Sequence, residues 1–189
     1  MIDDEKSGLR RRLRSTRRAI GPEQRLAAAL AVDATLRDLG LPRPHTRISA
    51  YRAMDGEIDP SIVVHRARAL GCDVHLPVVT NLRRRRMSFV PLTDAGEPAE
   101  PSAALAPRWL DLVLVPLVGF DERGNRLGMG VALYDRHFAF LRHRRAWRRP
   151  LLIGLAFDLQ RVDRLPVAAH DVPLWGIVTE RGFYRGGGR

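Results

Sequence analysis

The sequence predicts an α/β fold, three layers of α/β/α around an open, mostly parallel sheet, and three observations carry that expectation. Short apolar runs alternate with helical patterns along the chain, the order from which helix-covered parallel sheets are built. The run Leu112-Val113-Leu114-Val115-Pro116 is apolar throughout, as a strand buried on both faces is. No internal repeat is present, and 189 residues suit one domain, 1–189, with a substantial core.

The elements follow in order. In the first helix Lys6, Arg10, Arg14 and Arg17 recur at i, i+4, i+8 and i+11, which aligns them on one face, while Leu9 and Leu13 point toward a core. Lys6 is the only lysine in the chain. Gly21-Pro22-Glu23 opens a second helix, rich in alanine, to about Leu39, and Gly40-Leu41-Pro42-Arg43-Pro44 ends it. Residues 47 to 53 read as a strand, and Asp59-Pro60 caps a helix to about Leu70. Residues 73 to 79 read as the next strand and 86 to 90 as a candidate strand, whereas 93 to 107 has the Pro, Ala and acidic content of a surface loop. Residues 151 to 157 form a further apolar strand and 176 to 179 a last short one.

After the Leu112 strand comes the most informative stretch, Gly124-Asn125-Arg126-Leu127-Gly128-Met129-Gly130-Val131-Ala132-Leu133-Tyr134-Asp135-Arg136. Val131, Tyr134, Phe138 and Leu141 then recur at helical spacing, with Arg142, Arg144 and Arg145 in the last turn, where cations suit the helix dipole. Two readings are open. A turn without ligand would use Gly124 and Gly128; a phosphate site would use the free N–H groups of the helix start, with Arg126 as an anion partner and Asp135 as a magnesium ligand.

Composition narrows the partners. The balance of 32 basic to 21 acidic residues gives +11, which suits anionic ligands. The arginines are spread over the first helix, 83 to 86 and 142 to 149, with few aromatics between them to stack on bases, so nucleic acid is not expected as the main ligand. The single cysteine, Cys72, excludes an internal disulfide and a cysteine-based zinc cluster, and reads as a buried structural thiol. No apolar run approaches the roughly 20 residues of a membrane span and no signal-peptide core precedes the first helix, so a cytoplasmic protein is expected.

Pro116-Leu117-Val118-Gly119-Phe120-Asp121 followed by Gly124 to Arg136 resembles the signature of the 5-formyltetrahydrofolate cyclo-ligases, or methenyltetrahydrofolate synthetases. The likeness extends to Lys6-Ser7-Gly8-Leu9-Arg10, to Met54-Asp55-Gly56-Glu57-Ile58, to Gly154-Leu155-Ala156-Phe157 with Gln160, and to Leu165-Pro166, His170-Asp171-Val172-Pro173 and Ile177-Val178-Thr179-Glu180. The resemblance implies ATP- and Mg2+-dependent conversion of 5-formyltetrahydrofolate, polyglutamylated or not, to 5,10-methenyltetrahydrofolate with release of ADP and phosphate. It implies Lys6, Arg10, Arg126, Leu127, Gly128, Met129, Gly130 and Tyr134 at ATP, Met54 and Glu57 at the folate, and Asp135 and Asp171 at magnesium. Core packing is the alternative for Tyr134 and Met54, helix capping for Asp135 and turn formation for Asp171. No side chain stands out as a general base, and a monomer is expected. A relative that binds without turnover, and a basic RNA-binding protein on the same scaffold, are the competing functions.

The chain departs from the family at Val131-Ala132-Leu133, where bacterial members read Gly-Gly-Tyr or Gly-Gly-Phe. Valine is a poor occupant if position 131 takes a positive φ. Val-Ala-Leu does fit a right-handed first helical turn, which would make the loop shorter and the helix longer.

Overall fold

Seven strands form one sheet in the order β3-β2-β1-β4-β7-β8-β9, in a computed structural model that describes residues 2–143 and 149–187. In chain order the elements are α1 (Ile2–Arg18), α2 (Pro22–Asp38), β1 (Arg47–Ser49), α3 (Ser61–Ala69), β2 (Asp73–Asn81), β3 (Arg86–Pro91), β4 (Leu112–Pro116), β5 (Gly119–Phe120), β6 (Arg126–Leu127), α4 (Leu133–His137), β7 (Leu151–Leu155), β8 (Gly176–Thr179) and β9 (Gly182–Arg185). The neighbours β2, β1, β4, β7 and β8 pair in parallel, and antiparallel β3 and β9 close the two edges. Strand order runs outward from β1 to β2 and then returns to β4, so the switch point, where ligands gather in such sheets, lies at the carboxyl ends of β1 and β4.

Alternation along the central strands divides the core into two faces. Leu112, Leu114, Ile153, Leu155 and Val178 pack with Ala28, Val32 and Leu36 of α2 and Val63 and Ala67 of α3. Val113, Val115, Leu152 and Ile177 point the other way, onto Phe89, Phe120 and Phe138. The helix starts follow local chemistry. Pro22 opens α2, and the side chain of Asp59 accepts the Ser61 N–H at 2.9 Å at the start of α3. A third, smaller cluster of Leu13, Val118, Leu127 and Leu165, with Leu9 against it, docks α1 by its leucines.

Four expectations from the sequence need correction. The helix after the glycines is not longer but short: α4 has five residues, and a 3-10 turn over Ala139–His143 follows it. Arg144 and Arg145, expected in its last turn, lie outside the described residues. Second, Leu112–Pro116 does not lead straight into a phosphate loop, because the hairpin β5–β6 intervenes and Gly124 belongs to its turn. Asp121, wholly buried, builds that turn by accepting the N–H groups of Arg123, Asn125 and Leu165, each at 3.1 Å, and the Asn125 amide at 3.0 Å. Third, β1 ends at Ser49 rather than near Ala53, and the chain leaves the ladder as the sheet's carboxyl edge is reached. Fourth, β9, which returns from β8 through Glu180-Arg181, was not expected at all.

Gly124 has a packing reason to be glycine. Its φ is +83°, and a Cβ there would lie 2.6 Å from the Gly186 Cα and 2.8 Å from the Leu174 carbonyl oxygen, both main-chain atoms unable to swing aside. Left-handed strain of about 1–2 kcal/mol and overpacking of about 1–3 kcal/mol combine in Gly124→Ala. That variant is expected to lose about 2 kcal/mol or more in urea unfolding, while the Michaelis constants of its folded fraction stay at wild-type values.

Candidate active site

The face of α1 that carries Lys6, Arg10, Arg14 and Arg17 runs along the carboxyl edge of the sheet, where Lys6 and Arg10 each meet a different segment and Arg14 and Arg17 share one. Lys6 Nζ lies 3.4 Å from Asp171 Oδ2. Arg10 Nε donates to the Gly128 carbonyl at 2.9 Å, with its guanidinium against the open side of Gly130. Arg14 Nε donates to Asp55 Oδ2 at 2.7 Å. Arg17, 1% exposed, donates from Nε to the Asp55 carbonyl (3.1 Å), from Nη2 to Asp55 Oδ2 (3.0 Å) and from Nη1 to the Leu117 carbonyl (3.1 Å), and Nη1 stands 3.6 Å from Glu57 Oε1. The stripe thus spans from the C-terminal segment, past the glycine loop, to the connection after β1.

That connection is tightly built. Asp55 and Gly56 both have positive φ, +55° and +77°, which turns the chain sharply enough for the Glu57 carboxylate to accept the Met54 N–H at 3.1 Å. Tyr51 donates from its hydroxyl to the Ile58 carbonyl at 2.7 Å and closes the loop from inside. Burial pushes the Glu57 carboxyl up from the ordinary range, against the Met54 hydrogen bond and the Arg17 charge, which hold it down. Burial also pushes the Tyr51 and Tyr134 phenols up, with the Glu57 charge adding to it at both and Arg126 opposing it at Tyr134. Asp55 differs: burial would raise its carboxyl, but hydrogen bonds from Arg14 and Arg18 win and hold it down at about 2.

Across the cleft, the stretch expected at the phosphates divides by environment. Leu127 is buried in β6, and its carbonyl accepts the Val118 N–H at 2.7 Å. Gly128 borders open space, Met129 is exposed, and Gly130 has φ +95°. Arg126 is 6% exposed and turned inward, to Asp135 Oδ1 at 2.6 Å and to the Val172 carbonyl at 2.5 Å. Tyr134 stacks on the core ring of Phe138, 6.3 Å between centroids, and is partly buried. Met54, on the folate side, is well exposed.

The positive φ of the altered loop falls on Ala132, at +53°, and not on Val131. Alanine there keeps a glycine-like backbone at the start of α4. Leu133 packs into the core against the far face of the sheet.

Asp135 and Asp171 come together through one peptide, since Asp135 Oδ1 accepts the N–H of Val172 at 2.9 Å. Asp171 Oδ2 accepts the Ala168 N–H at 2.9 Å and faces Lys6. Among the described residues no group of three or more His, Cys, Asp or Glu is gathered for a metal. Asp135 and Asp171 are the two carboxylates there that could hold magnesium, which takes one or two of them and completes its shell with phosphate oxygens and water. Sequence reasoning did not single out Tyr51, whose signal was its place just past a short strand, nor the burial of Arg17, which helical spacing puts on the right face without giving its depth.

Two outcomes follow from this geometry. Ala132→Gly relieves left-handed strain of about 1–2 kcal/mol, offset in part by the greater freedom of an unfolded glycine, and is expected to raise the melting temperature by about 1–4 °C. Because the Asp55 carboxyl sits below its unfolded value of 3.8, its ion pairs stabilise the fold above about pH 4, and that contribution is lost as pH falls toward 2. In urea unfolding, the stability gap between wild type and Asp55→Asn is therefore expected to be widest at neutral pH and to narrow between pH 4 and pH 2.

Comparison with known proteins identifies the family. The chain matches the model of the 5-formyltetrahydrofolate cyclo-ligase family over residues 2–180. The 5-formyltetrahydrofolate cyclo-ligase of Escherichia coli K12 is 32% identical over 181 residues, covering 88% of this chain and 96% of the relative. The solved structure of 5,10-methenyltetrahydrofolate synthetase from Aquifex aeolicus superposes with a TM-score of 0.76 at 27% identity, over 95% of this chain and 92% of that one. The Mycoplasma pneumoniae synthetase, at 22% identity, shares the fold with a TM-score of 0.75 over 93% and 98% of the two chains. With its signature residues set around the switch point of the sheet, the chain belongs to the 5-formyltetrahydrofolate cyclo-ligase family.

Proposed function

We infer that the protein converts 5-formyltetrahydrofolate to 5,10-methenyltetrahydrofolate, using ATP and releasing ADP and phosphate. The observation that carries this reading is the continuous line of α1 cations joining Asp171 and the glycine loop at one end to Asp55 and Glu57 at the other. One cleft thereby offers cationic partners for phosphates and, within reach of the same helix, a carboxylate for the paired N–H donors of a pterin.

In this reading the formyl oxygen of the folate attacks the γ-phosphate, N10 closes the ring on the activated carbon, and phosphate departs. Phosphoryl transfer asks the protein for alignment and for positive charge around the transferring group. Lys6 and Arg10 supply that charge from α1. The N–H groups of Gly128 to Gly130 line the phosphate side, and Arg126 acts through Asp135, holding it against the Val172 N–H. Glu57 receives the pterin, with Met54 beside the ring, and Tyr134 faces ATP. Asp135 and Asp171 would hold Mg2+, which when bound supplies charge neutralisation at the phosphate oxygens. N10 loses its proton as the ring closes, and the departing phosphate or solvent can take it, so the reading assigns no side chain as a general base.

A second reading, binding without turnover, is favoured by one observation: Leu133 packs against the core and offers a ligand neither an aromatic ring nor a hydroxyl. Product formation separates the two. Purified protein with MgATP and 5-formyltetrahydrofolate is expected to develop the near-ultraviolet absorbance of the methenyl product, and Lys6→Ala to lower kcat/KM for ATP about a hundredfold. Ligand binding without product would establish the second reading, and tight salt-sensitive RNA binding without ATP affinity would overturn both.

A further inference from the structure

Arg17 is the deepest cation of α1 and the only one of its stripe that reaches both strands at the switch point. Its Nη1 holds the Leu117 carbonyl just past β4, while Nε and Nη2 hold the Asp55 carbonyl and carboxylate beyond β1. The same Nη1 is 3.6 Å from Glu57 Oε1. The Leu117 carbonyl is held from the other side as well, by Gln160 Nε2 at 2.9 Å, so the position of the guanidinium is set by the sheet and not by the helix alone. We propose that Arg17 is the positioning residue for Glu57, fixing that carboxylate in its folate-facing place by bridging the carboxyl ends of β1 and β4. The inference rests on the reading of Glu57 as the pterin's acceptor.

Charge gives this role a consequence beyond scaffolding. Glu57 is faced by Arg17 and Arg14 from α1, by Asp55 beside it, by Tyr51 at the end of β1 and by Tyr134 of α4. Of these, only the two arginines favour its ionised form, and Arg17 is the one in ion-pair contact. Arg14 is turned to Asp55. Without Arg17, burial and Asp55 raise the Glu57 carboxyl against only the Met54 hydrogen bond and the Arg14 charge, and a protonated Glu57 offers one acceptor fewer to a pair of N–H donors.

The test is the pH dependence of the Michaelis constant for 5-formyltetrahydrofolate, read beside that for ATP. In wild type the folate constant is expected to rise as acid protonates Glu57. Arg17→Gln keeps an N–H donor and removes the charge; it is expected to move the midpoint of that rise toward neutral pH by about one unit, with the ATP constant changed less than about twofold. Arg17→Lys restores a cation and is expected to return the midpoint to the wild-type value, even if its folate constant stays higher because the fork is lost. Should Arg17→Gln fail to fold, Arg17→Lys decides alone: a midpoint at the wild-type value supports the inference and a displaced one overturns it. A midpoint unmoved in Arg17→Gln, or folate and ATP constants rising together without any shift, would make Arg17 a strut and nothing more. Glu57→Gln separates the two layers of the argument, since a folate constant and profile unchanged by it would remove Glu57 from the pterin site, whatever Arg17 does.

Discussion

A guanidinium buried between two strand ends is the constraint on which the site depends. Arg17 is 1% exposed, and a charge taken so far out of water is tolerated only when its donors are met. Three hydrogen bonds, one of them to the Asp55 carboxylate, and the nearby Glu57 carboxylate meet them, drawn from the segments that follow β1 and β4. The leucines of α1 supply burial, but apolar contact is not directional and by itself would let the helix slide or roll on β5–β6. The planar fork of Arg17 fixes its register. Once that register is set, Lys6 and Arg10 fall about three and two turns away, opposite Asp171 and the glycine loop, with no further choice to make.

The architecture was legible wherever an element was long enough to show a period. Among the long helices, α2 and α3 announced themselves by glycine, proline and aspartate at their starts and α1 by the spacing of its cations and leucines, while β4 and β7 did so by unbroken apolar runs. Illegible were elements with too few residues for any period to develop: β5 and β6 have two each, and α4 has five. In the hairpin, Asp121 and Gly124 carried the signal as turn residues, but a glycine on the way to a helix also suits a phosphate loop, and spacing cannot separate the two. β9 was hidden because Gly182–Arg185 is only half-buried and lacks an apolar run.

The site shows the same division. Four cations on one helical face were readable from spacing, because the helix period is rigid. What each of them touches was not, because it depends on loops whose course is set by backbone conformation at single residues such as Asp55 and Gly56. Arg126 illustrates the limit. Its residue type suits a phosphate, yet in the fold it lies beside Asp135 and Val172, and its charge organises the wall of the cleft from behind.

The altered loop bears on how much sequence change such a cleft accepts. Gly130 and Ala132 both adopt positive φ, so the chain holds the backbone course that glycine would follow although one of the two carries a Cβ. A left-handed alanine costs about 1–2 kcal/mol, which is affordable against a domain stability of about 5–15 kcal/mol but not against a second such strain nearby. Valine at the same position would cost more, since branching at Cβ narrows the left-handed region further. Val131 stands one residue earlier, outside the described positive-φ positions, and so escapes that cost. The substitution is therefore absorbed as local strain, and the next residue, Leu133, packs against the core.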